Sequence, residues 1–131
     1  MNTYGGPLKI MAKDDYDVIA YRVLVYLYAC MKRKILFEDV TFQAAVRKNV
    51  ESDEYFASIL RMMQDEGYIR GLMFTDAWGG DFILASDIRN ARITAAGIHY
   101  LQENSKMKKV GEALKESVDI ISKLAQIVAI A

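Results

Sequence analysis

A chain of 131 residues is the length of one compact domain, long enough to bury a core without a disulfide or a structural metal. Seventeen basic and seventeen acidic residues cancel, which excludes a global field drawing the molecule to nucleic acid or to an anionic membrane, so any such binding must be local. A single cysteine excludes an internal disulfide, and a single histidine leaves little for metal or nucleophilic chemistry.

The opening "MNTYGGPLKI" lacks the continuous apolar stretch of a secretory signal, and with Gly5, Gly6 and Pro7 it reads as part of a flexible leader over residues 1–13. No run reaches the roughly 18 apolar residues of a membrane span, so a cytoplasmic chain without membrane contact is expected.

From Asp14 or Asp15 to about Arg33, the residues Tyr16, Ile19, Ala20, Val23, Leu27, Cys30 and Met31 recur at three and four, the stripe of an amphipathic helix. Asp14, Asp15 and Asp17 suit its positive end; Lys32, Arg33 and Lys34 suit its negative end. Tyr21, Leu24, Val25, Tyr26 and Tyr28 make the other sides apolar too, so this helix needs cover on more than one face. Cys30 in such a run reads as a buried thiol and not as a nucleophile.

"ILFEDV" reads as an extended connection, after which Thr41 is expected to cap a short helix through Phe42, Ala45 and Val46 to about Lys48. Ser52 caps a third helix, with Asp53 and Glu54 in its first turn, Phe56, Ile59, Leu60 and Met63 along one face, and Gly67 as its stop. "YIRGLMF" is then rich in strand formers, "TDAWGGD" carries a turn signal, and "FILASDIRNARI" offers the return path of a long hairpin. Thr94 turns that return strand into a fourth helix of roughly ten residues, in which Gly97 allows close packing and is not a phosphate cradle.

From Ser105 to Ala131, Met107, Leu114, Ile121 and Val128 stand seven apart, with Val110, Val118 and Leu124 nearby. The spacing predicts one long helix with a seam, laid back on the first helix or paired with a second chain.

Three helices, a hairpin and a further helix form the element order of a winged helix. The expected fold is α+β, mainly α: a winged helix-turn-helix with a β-hairpin wing over residues 14–104 and an additional long C-terminal helix over residues 105–131. The stretches "SDEYFASILRMMQDEGYIRGLMF", "AWGGD" and "RITAAGIHYLQENSKMKK" are similar to the YjcQ-like family of small bacterial and prophage winged-helix proteins, a resemblance that runs from about Asp15 to Lys115. The resemblance implies a winged helix and DNA binding, and it brings no catalytic or ligand residues.

A groove-inserted third helix would present Glu54, Ser58, Arg61, Met62 and Asp65 outward, with Arg61 as the guanine reader and Ser58 as a phosphate or base contact. Arg47 and Lys48 suit phosphate contacts, though the helix dipole also favours cations there. Arg70, Arg89 and Arg92 on the hairpin could reach a minor groove, balanced by Asp76, Asp81 and Asp87, and Trp78 is either a wing-base residue or a contact residue. Against this, the three basic residues between Thr41 and Glu66 face five acidic ones. Lys106, Lys108 and Lys109 read as a solvated face, and His99 as structural.

No nucleotide loop, metal spacing or nucleophile constellation appears, so no enzyme activity, cofactor or metal is expected. The expectation is a dimeric regulator that binds double-stranded DNA. Its homodimer interface would be Tyr21, Leu24 and Tyr28 of the first helix with Met107, Val110, Leu114, Ile121, Leu124 and Val128 of the last. The alternative is a winged-helix protein-protein interaction module that binds no nucleic acid, motivated by the acidic third helix.

Overall fold

The computed structural model describes residues 12, 15–80 and 82–128. The leader expected over residues 1–13, apart from residue 12, lies outside the described residues, as do Asp14, Asp81 and the Trp78 side chain. The fold is α+β and mainly helical.

Helix α1 (Tyr16–Met31) is the axis of the molecule, and every residue from Val18 to Ala29 is buried. That continuous burial follows from a sequence apolar on nearly all sides, since such a helix is stable only when neighbours cover it all round. Helix α2 (Asp39–Val46) contributes Phe42, Ala45 and Val46 to the core. It begins at Asp39, and the expected cap Thr41 lies inside its first turn, with its hydroxyl donating to the Glu38 carboxylate.

Helix α3 (Asp53–Asp65) starts where the Ser52 hydroxyl accepts the Tyr55 N–H at 3.1 Å. It buries Phe56, Ile59, Leu60 and Met63 on one face, and Gly67 follows it with a φ of +86°.

The hairpin carries two nested antiparallel ladders. At its base β1 (Ile69–Arg70) pairs with β4 (Arg92–Ile93), Ile69 opposite Ile93 and Arg70 opposite Arg92. Nearer the tip β2 (Phe74–Asp76) pairs with β3 (Phe82–Leu84). Gly71 interrupts the first strand at a φ of +97°, where a Cβ would stand 2.3 Å from the Asn90 carbonyl oxygen.

Helix α4 (Ala95–Glu103) begins directly at the end of β4. The Thr94 hydroxyl accepts the Gly97 N–H at 2.9 Å and donates to the Gly67 carbonyl, so one side chain caps α4 and ties it to the end of α3. Gly97 is the point of closest approach: a Cβ there would sit 2.2 Å from the Tyr68 carbonyl oxygen.

The single long helix expected after Ser105 is two helices, α5 (Ser105–Lys115) and α6 (Ile120–Ile127). The Ser117 hydroxyl donates to the Leu114 carbonyl, and the Asp119 carboxylate accepts the Ile121 N–H, so the chain stops one helix and caps the next within a few residues. Both helices fold back along α1. The nine residues expected at a homodimer interface (Tyr21, Leu24, Tyr28, Met107, Val110, Leu114, Ile121, Leu124 and Val128) are all buried within the chain itself. The surplus apolar surface of α1 is therefore covered by α5 and α6 of the same molecule, and one hydrophobic cluster runs from Val18 to Val128.

Candidate nucleic-acid interface

The basic residues expected to read DNA fall into two groups. The first group lies around α3, where each cation is already engaged. Arg47 is only 18% exposed; its Nη1 meets the Asp53 carboxylate at 2.7 Å, its Nη2 donates to the carbonyls of Val50 and Glu51, and its guanidinium lies 5.0 Å from the centre of the Phe56 ring. It clamps the turn between α2 and α3. Lys48 is half-exposed, with Nζ 4.0 Å from the Asp119 carboxylate.

Arg61 projects from α3 toward the hairpin. Its guanidinium stacks 4.4 Å from the centre of the Phe82 ring and 5.8 Å from that of Phe74, and its Nε lies 3.8 Å from Asp65. Such stacking holds the hairpin against α3 and limits how far the side chain extends outward. The Ser58 hydroxyl donates to the Glu54 carbonyl at 2.9 Å, while Met62 is exposed beside exposed Asp65 and Glu66. The outward surface of α3 is thus acidic and apolar.

The second group converges elsewhere. Arg70 and Arg92 face each other across the β1–β4 ladder, Arg89 comes from the turn before β4, and Arg33 comes from the end of α1; the four flank one groove of about 440 Å³. Its floor is apolar, formed by Leu27, Ile35, Phe37 and Ile93 among others, and no carboxylate is among the described residues that line it.

Local geometry aims these side chains. Arg33 takes a φ of +61°, the left-handed conformation usually left to glycine, and Lys34 N–H donates back to the Ala29 carbonyl at 3.0 Å to close the end of α1. Holding a non-glycine residue there costs about 1 kcal/mol, offset by the packing around it. Arg92 Nη1 donates to the carbonyls of Arg89 and Ala91 at 2.7 and 2.9 Å. Arg89 forms an exposed pair with Asp87, Nη2 to Oδ2 2.7 Å, and the hydrogen bonds from Arg89 hold the Asp87 carboxyl below the usual carboxylate range. An exposed pair of this kind is weak enough for a phosphate to compete with it.

Cys30 also lines the groove. Burial pushes its thiol up, against the opposing charge of Arg92, which leaves it protonated and unsuited to nucleophilic attack near neutral pH. Read from the sequence, Arg33 was one of three cations answering the dipole of α1; its place beside the hairpin arginines depends on contacts between distant segments, and no local pattern announces them.

Among the described residues no helix is long and apolar enough to cross a membrane. No match was found among curated proteins or among solved structures. A model of the family described as YjcQ protein matches residues 21–120, from within α1 to the first residue of α6, a span that contains the hairpin and the arginine groove, and on that match the chain belongs to the YjcQ protein family.

Proposed function

We propose that this chain is a winged-helix protein that binds double-stranded DNA through phosphate contacts, in the role of a transcriptional regulator. The observation that carries the reading is the convergence of Arg33, Arg70, Arg89 and Arg92 around one groove with no carboxylate among the described lining residues. Guanidinium groups are suited to bidentate contacts with phosphate, and sequence-independent affinity for a duplex comes mainly from such neutralisation. The order of three helices, hairpin and helix supports a winged helix, with the β2–β3 end as the wing.

In this role the weight of binding lies away from α3. Acidic residues at both ends of that helix oppose insertion into a polyanionic groove, and Arg61 is held on the hairpin aromatics. A second copy would raise the affinity of a head making few phosphate contacts, but it would have to assemble through surfaces other than the nine buried residues above.

The test is fluorescence anisotropy of a labelled duplex across salt concentrations. Binding should weaken linearly in log–log form as salt rises, and Arg70→Ala and Arg92→Ala should each lower the slope by about one, equally for unrelated sequences. A response flat in salt, or unchanged binding by the double variant, overturns the reading.

One observation favours a second reading, a protein-interaction module: the exposed outer surface of α3 carries Asp53, Glu54, Asp65 and Glu66 beside exposed Met62 and Tyr55. A flat salt response with an intact fold is the result that reading expects.

A further inference from the structure

A pocket of the opposite chemistry to the arginine groove lies where α1 begins, α3 ends and α4 passes. Tyr16 from α1, Tyr100 from α4, and Tyr68 just beyond α3 join Met62, Asp65 and Glu66 around an open pocket of about 500 Å³. The rings of Tyr68 and Tyr100 stack with centroids 4.1 Å apart and planes 18° apart. Among the described residues none of the three tyrosine hydroxyls has a hydrogen-bond partner, and Glu66 has no ion-pair partner. Asp65 has only the 3.8 Å approach of Arg61, and nearby Asp17 only that of Lys106, also 3.8 Å.

The electrostatics of this corner run against the backbone. A helix C-terminus carries a partial negative charge, and cations normally occupy its last turn. Helix α3 has no basic residue in its last turn and places Asp65 and Glu66 there. Two carboxylates, a helix end and three electron-rich rings therefore concentrate negative potential on one partly desolvated spot. The Tyr16 hydroxyl registers it: burial, then the neighbouring tyrosines, Glu66 and Asp17, push its pKa up to about 12.

We propose that this pocket binds an organic cation, an ammonium or guanidinium group carried on an aliphatic stem. The ring faces and carboxylates attract the charge, and Met62, 46% exposed at the rim, offers apolar cover for the stem. A metal ion suits it poorly, since among the described residues no three histidine, cysteine or carboxylate groups converge. The same chemistry can arrive as a free alkylamine or as a lysine or arginine side chain of a partner protein. This site is separate from the arginine groove and does not depend on the DNA reading.

The experiment is an aromatic-ring NMR titration of the full chain with n-butylammonium and n-butylguanidinium, with 1-butanol as the neutral isostere of the ammonium. A short lysine-containing peptide and its norleucine counterpart form a second arm. The expected result is saturable shifts of the Tyr16, Tyr68 and Tyr100 rings by the cations and not by the neutral compounds. Glu66→Gln, a surface change that should leave the thermal midpoint in place, should weaken binding by about three- to tenfold, the range expected of one charge beside a cation–π site. Arg70→Ala should leave these shifts unchanged while it weakens binding to a duplex, which separates the two sites. Shifts by the peptide alone assign the cation to a partner side chain; shifts by the free amines as well admit a small-molecule source. Equal shifts by 1-butanol, an unchanged affinity in Glu66→Gln, or silent tyrosine rings in both arms would overturn the proposal.

Discussion

The guanidinium of Arg22 and the carboxylate of Asp119, 97 residues apart in sequence, meet inside the protein in two parallel contacts, Nη1 to Oδ1 and Nη2 to Oδ2, each 2.9 Å. Arg22 also donates to the Ala45 carbonyl at 3.1 Å, so a single buried side chain joins α1, the end of α2 and the start of α6. Removing one partner strands a charge in the core. Asp119→Ala is expected to cost about 3–5 kcal/mol in urea denaturation, whereas the pair Arg22→Met with Asp119→Leu, which removes both charges, should cost much less. Equal losses in the single and double variants would mean that the charge pairing is not what matters.

The same pair sets an acid limit. Burial raises the pKa of Asp119, but the hydrogen bonds from Arg22 and the Ile121 N–H, with the charges of Arg22 and Lys48, outweigh burial and hold it below the usual carboxylate range. A group depressed in the folded state contributes stability that is present above its unfolded pKa, about 3.9, and is lost as pH falls through the folded value. The thermal midpoint should therefore drop steeply below about pH 4, and Asp119→Asn should be less stable at neutrality with a shallower fall on acidification.

Burial of Leu114 against the chain's own α1 gives a concentration test. Leu114→Ala is expected to cost about 2–5 kcal/mol, as for a core leucine, with a thermal midpoint that does not move with protein concentration. A midpoint that rises with concentration would return this residue to an interface between copies.

The junction of hairpin and α4 rests on Thr94 and Gly97. Thr94→Val loses both the cap on Gly97 and the bond to Gly67, an expected cost of about 1–2 kcal/mol. Gly97→Ala forces a methyl group against the Tyr68 carbonyl, and because the obstacle is backbone the loss should be at least about 1–3 kcal/mol. Circular dichroism melts of the two variants check both.

Local chemistry was readable and assembly was not. Ser52 as a cap, the Phe56, Ile59, Leu60 and Met63 face, Gly67 as a stop and Thr94 as a start are each decided within a few residues, and each stands where the sequence predicts it. The heptad of Met107, Leu114, Ile121 and Val128 misled because two short helices packed along the same α1 satisfy the spacing of one long one. Asp119 can be read as a turn residue, but the buried arginine that holds it lies near the other end of the chain. Arg47 and Arg61 have the right side chains for DNA, yet Asp53, Phe56 and Phe82 occupy them, and only the folded packing reveals that competition. Arg33 met the hairpin arginines by the same kind of distant convergence.

The sequence distance between Arg22 and Asp119 also shapes biosynthesis. On the ribosome the guanidinium at position 22 emerges nearly a hundred residues before its counter-ion, and an unneutralised charge at the centre of a would-be interior opposes premature collapse. The first helices can form in the nascent polypeptide, but their common nucleus closes only once the segment around position 119 has emerged to neutralise that charge.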